Sequence, residues 1–183
     1  MKSLSRSCLL ALSTIAVTGQ LCAEDPDLSR GAEILAPFKL QLRDALQAGL
    51  AQGPSQAIDA CRVSAPDIAT DLSQNGIRVG RTSDRLRNPA NIAPDWVVEV
   101  LSQYTEQTGS RLPQTVALGN DRSGFVEPIL VKPLCLTCHG ENLSADISAQ
   151  LAQHYPEDEA IGYAAGDLRG VFWTEFPARE ATQ

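Results

Sequence analysis

Between residues 27 and 51, apolar side chains fall at Ile34, Leu35, Phe38, Leu42, Ala45, Leu46 and Leu50. That spacing puts one stripe on a helix, which Pro37 would kink and Gly53-Pro54 would end. A second stripe, Ile58, Cys61, Ala65, Ile68 and Leu72, opens near Ser55 and stops at Asn75-Gly76. Pro66 lies inside it; its ring crowds the carbonyl of Arg62, so a bend is expected within about a turn of Cys61. Residues 77–82 read as a short strand and 87–94 as a tight loop. Trp96, Val97, Val100, Leu101 and Tyr104 mark a third helix. From Thr115 to Val131, two extended runs flank a stretch of turn formers, Gly119 to Gly124, which predicts an antiparallel hairpin. A short helix over 145–154 and a strand over 168–176 complete the pattern. Helices first and mainly antiparallel strands afterwards argue for a single α+β domain.

Composition changes this picture mainly at the start of the chain. Lys2 and Arg6 precede an apolar run from Cys8 to Gly19 that is too short to cross a bilayer. Residues 1–23 are therefore expected to be an export signal cleaved after Ala23, leaving residues 24–183 as the mature domain. A lipidated Cys22 is the weaker reading, because Gln20-Leu21 lacks the small residue such a site prefers. Cleavage removes two of 15 cations and none of 22 acidic residues, taking the formal charge from −7 to −9. An acidic surface disfavours nucleic acid and anionic membrane and suits docking with a basic protein. No later stretch is apolar enough for a membrane helix, so the expected location is periplasmic.

Cysteine usage narrows the chemistry. Of five cysteines, Cys8 and Cys22 leave with the signal, and Cys61, Cys135 and Cys138 remain. Cys135-Leu136-Thr137-Cys138-His139 is the C-x-x-C-H pattern of c-type haem attachment. Two thiols three positions apart can add to the two vinyl groups on one porphyrin edge, and the adjacent imidazole then falls beneath the ring to reach iron. Competing readings are a Cys135-Cys138 redox pair, and a zinc site built from those thiols with His139 and Cys61. The only methionine is Met1, so histidine–methionine ligation is excluded in the mature chain. The sixth iron position is left to Cys61, His154, an amine or amide side chain, water, or nothing. Cys61 is the odd thiol on a bent helix, and equally a residue that could simply fill the core.

Several short runs carry a resemblance. They are Ala57-Ile58-Asp59-Ala60-Cys61, Ala65-Pro66-Asp67-Ile68-Ala69, Gly80-Arg81-Thr82-Ser83, Arg87-Asn88-Pro89-Ala90-Asn91, Cys135 to Gly140, and Gly166-Asp167-Leu168-Arg169-Gly170. By these runs, in this order, the protein resembles the single-haem, PAS-like c-type cytochromes, and the resemblance covers nearly all of the mature chain. The resemblance implies a PAS-like antiparallel sheet flanked by helices, one covalent heme c, and the cysteine at position 61 as the axial ligand opposite His139. Arg81, Arg85 and Arg87 are candidates for pairing with haem propionates, Arg81 foremost, or for capping backbone carbonyls. Asn88 and Asn91 read as turn formers, His154 as a surface histidine, and Trp96 and Trp173 as core or haem-pocket packing, core foremost.

The function this implies is redox or small-ligand sensing, with CO or NO reaching the reduced haem and a separate redox or signalling protein as partner. Thiolate favours ferric iron, and the bond weakens on reduction. The alternative is a low-potential electron carrier. Peroxidase-type catalysis ranks third and no enzyme activity is expected, since the chain has just one histidine besides His139 to serve as an acid–base group.

Overall fold

The computed structural model describes residues 25–178, so the export segment over 1–23 lies outside the described residues. Helix α1 (Pro26–Gln52) opens on Asp25, whose carboxylate accepts the Asp27 N–H at 2.9 Å, a standard N-cap. It continues past Pro37 and closes at Gly53, whose φ of +126° favours glycine. Helices α2 (Pro54–Asp59) and α3 (Ala65–Leu72) follow, joined by a π turn over Ala60–Ser64. The continuous helix read from the apolar stripe is thus divided. Pro66 has no N–H to offer the Arg62 carbonyl, and the backbone accommodates by a wider turn in which the Ala65 N–H reaches Ala60. Cys61 sits inside that turn.

Strand β1 (Arg78–Thr82), helix α4 (Asp95–Glu106), and strands β2 (Gln114–Gly119) and β3 (Arg122–Leu130) come next. The β2–β3 hairpin turns at Asn120 and Asp121, both at φ near +50°, the left-handed pair that matches strand twist. A single turn over Pro133–Cys135 leads into α5 (Leu136–His139), then α6 (Ala145–His154) and β4 (Leu168–Pro177). Among the described residues the strands form one antiparallel sheet in the order β1-β4-β3-β2. The α+β, PAS-like architecture expected from the sequence is the one the chain adopts. Among the described residues no helix is long and apolar enough to cross a membrane.

Alternation along the strands sends Phe125 and Phe176 to one face and Val126, Val171 and Trp173 to the other. On the first face α1 contributes Leu35 and Phe38, with Val79 from β1. On the second, α4 contributes Val97, Val100, Leu101 and Tyr104. Each fully buried side chain of this size contributes roughly 1.5–3 kcal/mol relative to exposure. The approach of α1 is so close that a Cβ on Gly31 would lie 2.3 Å from Phe125 Cβ and Cγ. Gly31→Ala gains about 0.5–1 kcal/mol of helix propensity and loses about 1–3 kcal/mol or more by overpacking. The expected result is a lower urea midpoint with an unchanged slope; a midpoint equal to the parent's would show that α1 can retreat freely.

Two smaller clusters lie beyond the sheet. Ile58 packs with Ile147, Leu151 and Tyr155, joining α2 to α6, and Cys138 borders it. Val131, Ala160 and Tyr163 form the other, bordered by Cys135 and Leu136. The C-x-x-C-H segment lies between them.

Candidate functional site

Pro133 and the tight turn it starts carry the chain out of β3 and place Cys135 at the head of α5, its sulfur 3.4 Å from the Lys132 N–H. Four residues cannot sustain a helix alone. This one is held by the segment 155–167, which returns beside it: the Tyr163 N–H donates to the His139 carbonyl at 2.9 Å and the Gly162 N–H to that of Gly140 at 3.0 Å. At the same place the His139 ring meets the Ala160 carbonyl through Nδ1 at 2.7 Å. A carbonyl only accepts, so the proton is on Nδ1 and the lone pair is on Nε2. Burial, followed by the charges of Arg87 and Arg169, pushes the His139 pKa down to about 3, with the Ala160 hydrogen bond opposing and Arg81 adding to the depression. The imidazole is therefore neutral at physiological pH, the form that ligates metal.

Cys61 approaches this segment from the π turn. It lies near enough to Cys138 that a thiolate at 61 raises the Cys138 pKa, as does Cys135; burial is the larger cause and the Arg87 charge opposes it. Tyr155 feels the same Cys61 charge, although burial contributes most to its raised pKa. Cys61 and Cys138 are thus close enough to interact electrostatically. An elevated thiol is the opposite of what a dithiol redox pair uses. Among the described residues no group of three or more His, Cys, Asp or Glu is assembled that could hold a metal ion.

The arginines divide by role. Arg85 spends its guanidinium on the carbonyls of Glu159, at 3.0 Å, and Ile161, and stacks 4.4 Å over the Tyr163 ring. It fastens a loop, the carbonyl-capping role weighed for it from the sequence. Arg87 pairs with Asp158 at 2.9 Å and donates to the carbonyls of Cys138 and Ala160. Arg81 makes a long hydrogen bond, 3.5 Å, to the Cys61 carbonyl. Arg169 was not singled out from the sequence. It is half-buried at the start of β4, where desolvation lowers its pKa, with Arg81 and Arg87 adding to the effect and Tyr163 and Asp158 opposing it. Its electrostatic neighbours come from residues 81–87 and 158–163, so its role does not follow from the Gly166-Asp167-Leu168-Arg169-Gly170 run in which the sequence places it.

Among the described residues, two buried polar atoms, Tyr163 Oη and Trp173 Nε1, have no protein partner. Tyr163 meets the His139 ring edge-on at 6.2 Å. Trp173 belongs to the core as expected, yet it also lines a cavity of about 180 Å³ between Ala65, Pro66 and Ala69 of α3, β1 and the 88–92 loop. Trp96 is half-buried against that core, its indole donating to Glu175 at 2.8 Å. Asn88 caps the turn at Pro89–Asn91 by accepting the Ala90 N–H at 3.0 Å, as a turn former does. His154 is half-buried at the end of α6.

A family model described as Tll0287-like matches residues 23–177. Among solved structures, the cyanobacterial heme-protein Tll0287 is similar, with a TM-score of 0.63 and 21% identity, over 86% of this chain and 99% of that one. No functionally curated protein matches the chain. The family match bears out the resemblance read from the sequence, and the structural likeness bears out the fold.

Proposed function

The chain belongs to the Tll0287-like family, and from that membership and the geometry around His139 we propose that it is a c-type haem protein serving as a redox or small-ligand sensor. The observation that carries the reading is the His139 ring, neutral, with Nδ1–H committed to Ala160 and Nε2 left as a donor, on the helix that also carries Cys135 and Cys138. The residues fit such a group in charge as well as in ligands. Arg81, Arg87 and Arg169 converge on His139 with Asp158 as the carboxylate paired among them, so the site has positive charge to spare for two propionates. The unpartnered Tyr163 hydroxyl adds a buried donor beside His139.

In this reading Cys135 and Cys138 hold the porphyrin edge by thioether bonds, His139 and Cys61 are the axial ligands, and Arg81 takes a propionate. Bound haem supplies one-electron chemistry and a position for a diatomic ligand such as CO or NO. Cys61 supplies the switch, and its placement in a π turn supports that role. A π turn holds one more residue than an α turn, so its register can be relaxed without unwinding α2 or α3. The protein works after export, in the periplasm, with a separate redox or signalling protein as partner.

Intact mass after expression with a cytochrome maturation system tests the reading. The expected product exceeds the mature polypeptide by one haem, and Cys135→Ala with Cys138→Ala abolishes the increment. Its reduced form is expected to bind CO. A chain that matures without haem, or binds zinc in its place, would overturn the assignment.

A further inference from the structure

We propose that Arg87 is a positioning residue that sets the donor strength of the His139 imidazole, by sharing with it the Ala160 carbonyl. The inference rests on the haem reading above. One guanidinium spans three acceptors here. Its Nε meets Asp158 Oδ2 at 2.9 Å, and one NH2 group donates to Cys138 O at 2.5 Å and Ala160 O at 3.2 Å. Asp158 completes the ring by accepting the Ala160 N–H on Oδ1 at 2.8 Å. The backbone of Ala160 is therefore fixed at both polar ends, and its carbonyl receives two donors, Arg87 and His139 Nδ1.

Two donors on one carbonyl compete. A carbonyl already polarised toward a cation draws less on the Nδ1 proton, so the ring keeps less imidazolate character at Nε2. The pair is secluded, with side-chain exposures of 10% for Arg87 and 9% for Asp158, so water does not damp the effect as it would at a surface. A Lys ammonium is a point charge and cannot span these three acceptors as the planar fork does. The loop does not depend on Arg87 alone, because Arg85 grips it through Glu159 and Ile161 from the neighbouring carbonyls.

A clamp and a tuner predict different signs. If Arg87 and Asp158 only brace the loop, removing either loosens His139 in the same way. If Arg87 tunes the imidazole, Arg87→Gln frees the Ala160 carbonyl for Nδ1–H and removes a cation, strengthening the ligand and favouring ferric iron. Asp158→Asn leaves the Arg87 charge uncompensated and favours ferrous iron.

The experiment is a redox titration of the haem-loaded parent, Arg87→Gln and Asp158→Asn proteins, with ferric EPR on each. The expected result is a midpoint lowered in Arg87→Gln and raised in Asp158→Asn, each by about tenfold in the ferric to ferrous ratio, or ~59 mV for one electron. Arg87→Lys, which keeps the charge, should stay nearer the parent than Arg87→Gln and provides a reading if Arg87→Gln fails to fold. Shifts of one sign in both variants, or none, in proteins that carry one haem would overturn this inference and leave the haem reading standing. A parent without haem overturns both.

Discussion

Cys61→Ser is expected to leave the haem attached and to move its midpoint upward by more than ~60 mV, a factor of ten or more in the ferric to ferrous ratio. In the proposed reading attachment depends on Cys135 and Cys138, which the substitution does not touch. The shift follows from charge. A thiolate neutralises part of the ferric ion, whereas a serine hydroxyl remains neutral and binds weakly, so the oxidised state loses the larger share of its stabilisation. The Cys61 carbonyl, which Arg81 contacts at 3.5 Å, is backbone and is retained. Thiolate features should vanish from the ferric EPR spectrum, and the ferric protein should admit external ligands that the parent resists. Should spectrum and potential match the parent's, Cys61 is a core residue and His154→Ala becomes the variant to make.

Acid should destabilise the fold through His139, and the direction is fixed by the pKa. The unfolded imidazole takes up a proton near 6.5, whereas the folded one does so only near 3. Between those values the unfolded state binds more protons. The contribution of His139 is therefore complete above about pH 6.5, declines as the pH falls, and is gone below about 3. At roughly 1.4 kcal/mol per pH unit, about 3 kcal/mol is lost by pH 4. Asp25, held low chiefly by its hydrogen bond from Thr115, adds a loss of the same sign, so the comparison must be with a variant. Urea unfolding at pH 7 and pH 4 should show a smaller difference in His139→Gln than in the parent; equal differences would place the acid sensitivity elsewhere. Iron on Nε2 occupies the same lone pair, so metal and proton compete and the direction is unchanged.

Much of this was legible before any coordinates. The stripe from Ile34 to Leu50 is long enough to declare a helix, and α1 covers it within a residue or two. The hairpin was announced by its turn formers, and Asn120 and Asp121 take the positive φ values such a turn demands. Cys135, Cys138 and His139 stand out by their spacing alone, and the haem role proposed for them rests on that pattern. Pro66 signalled a disturbance near Cys61 but not its form, because a bend and a π turn cost the sequence the same residue. Helix α5 went unread, since four residues show no periodicity and the helix is held by the 155–167 segment. The different fates of Arg81, Arg85 and Arg87 were beyond reach for the same reason. Each is decided by carbonyls and carboxylates supplied from elsewhere in the chain, Arg85 and Arg87 by residues about 50 to 75 positions away.

The position of β4 in the sheet has a consequence for the order of events after synthesis. Strand β4 is the last of the described elements and lies between β1 and β3, so the sheet has no centre until residues 168–177 are present. Pairing Thr82 with Val171 closes a long loop, an entropic cost met late in folding. The loop that holds His139 through Ala160 is itself anchored to β4's entry, where the Val131 N–H reaches Asp167 at 2.9 Å. On the proposed haem reading, thioether formation would involve only residues 135–139 and could take place on a chain that is still open.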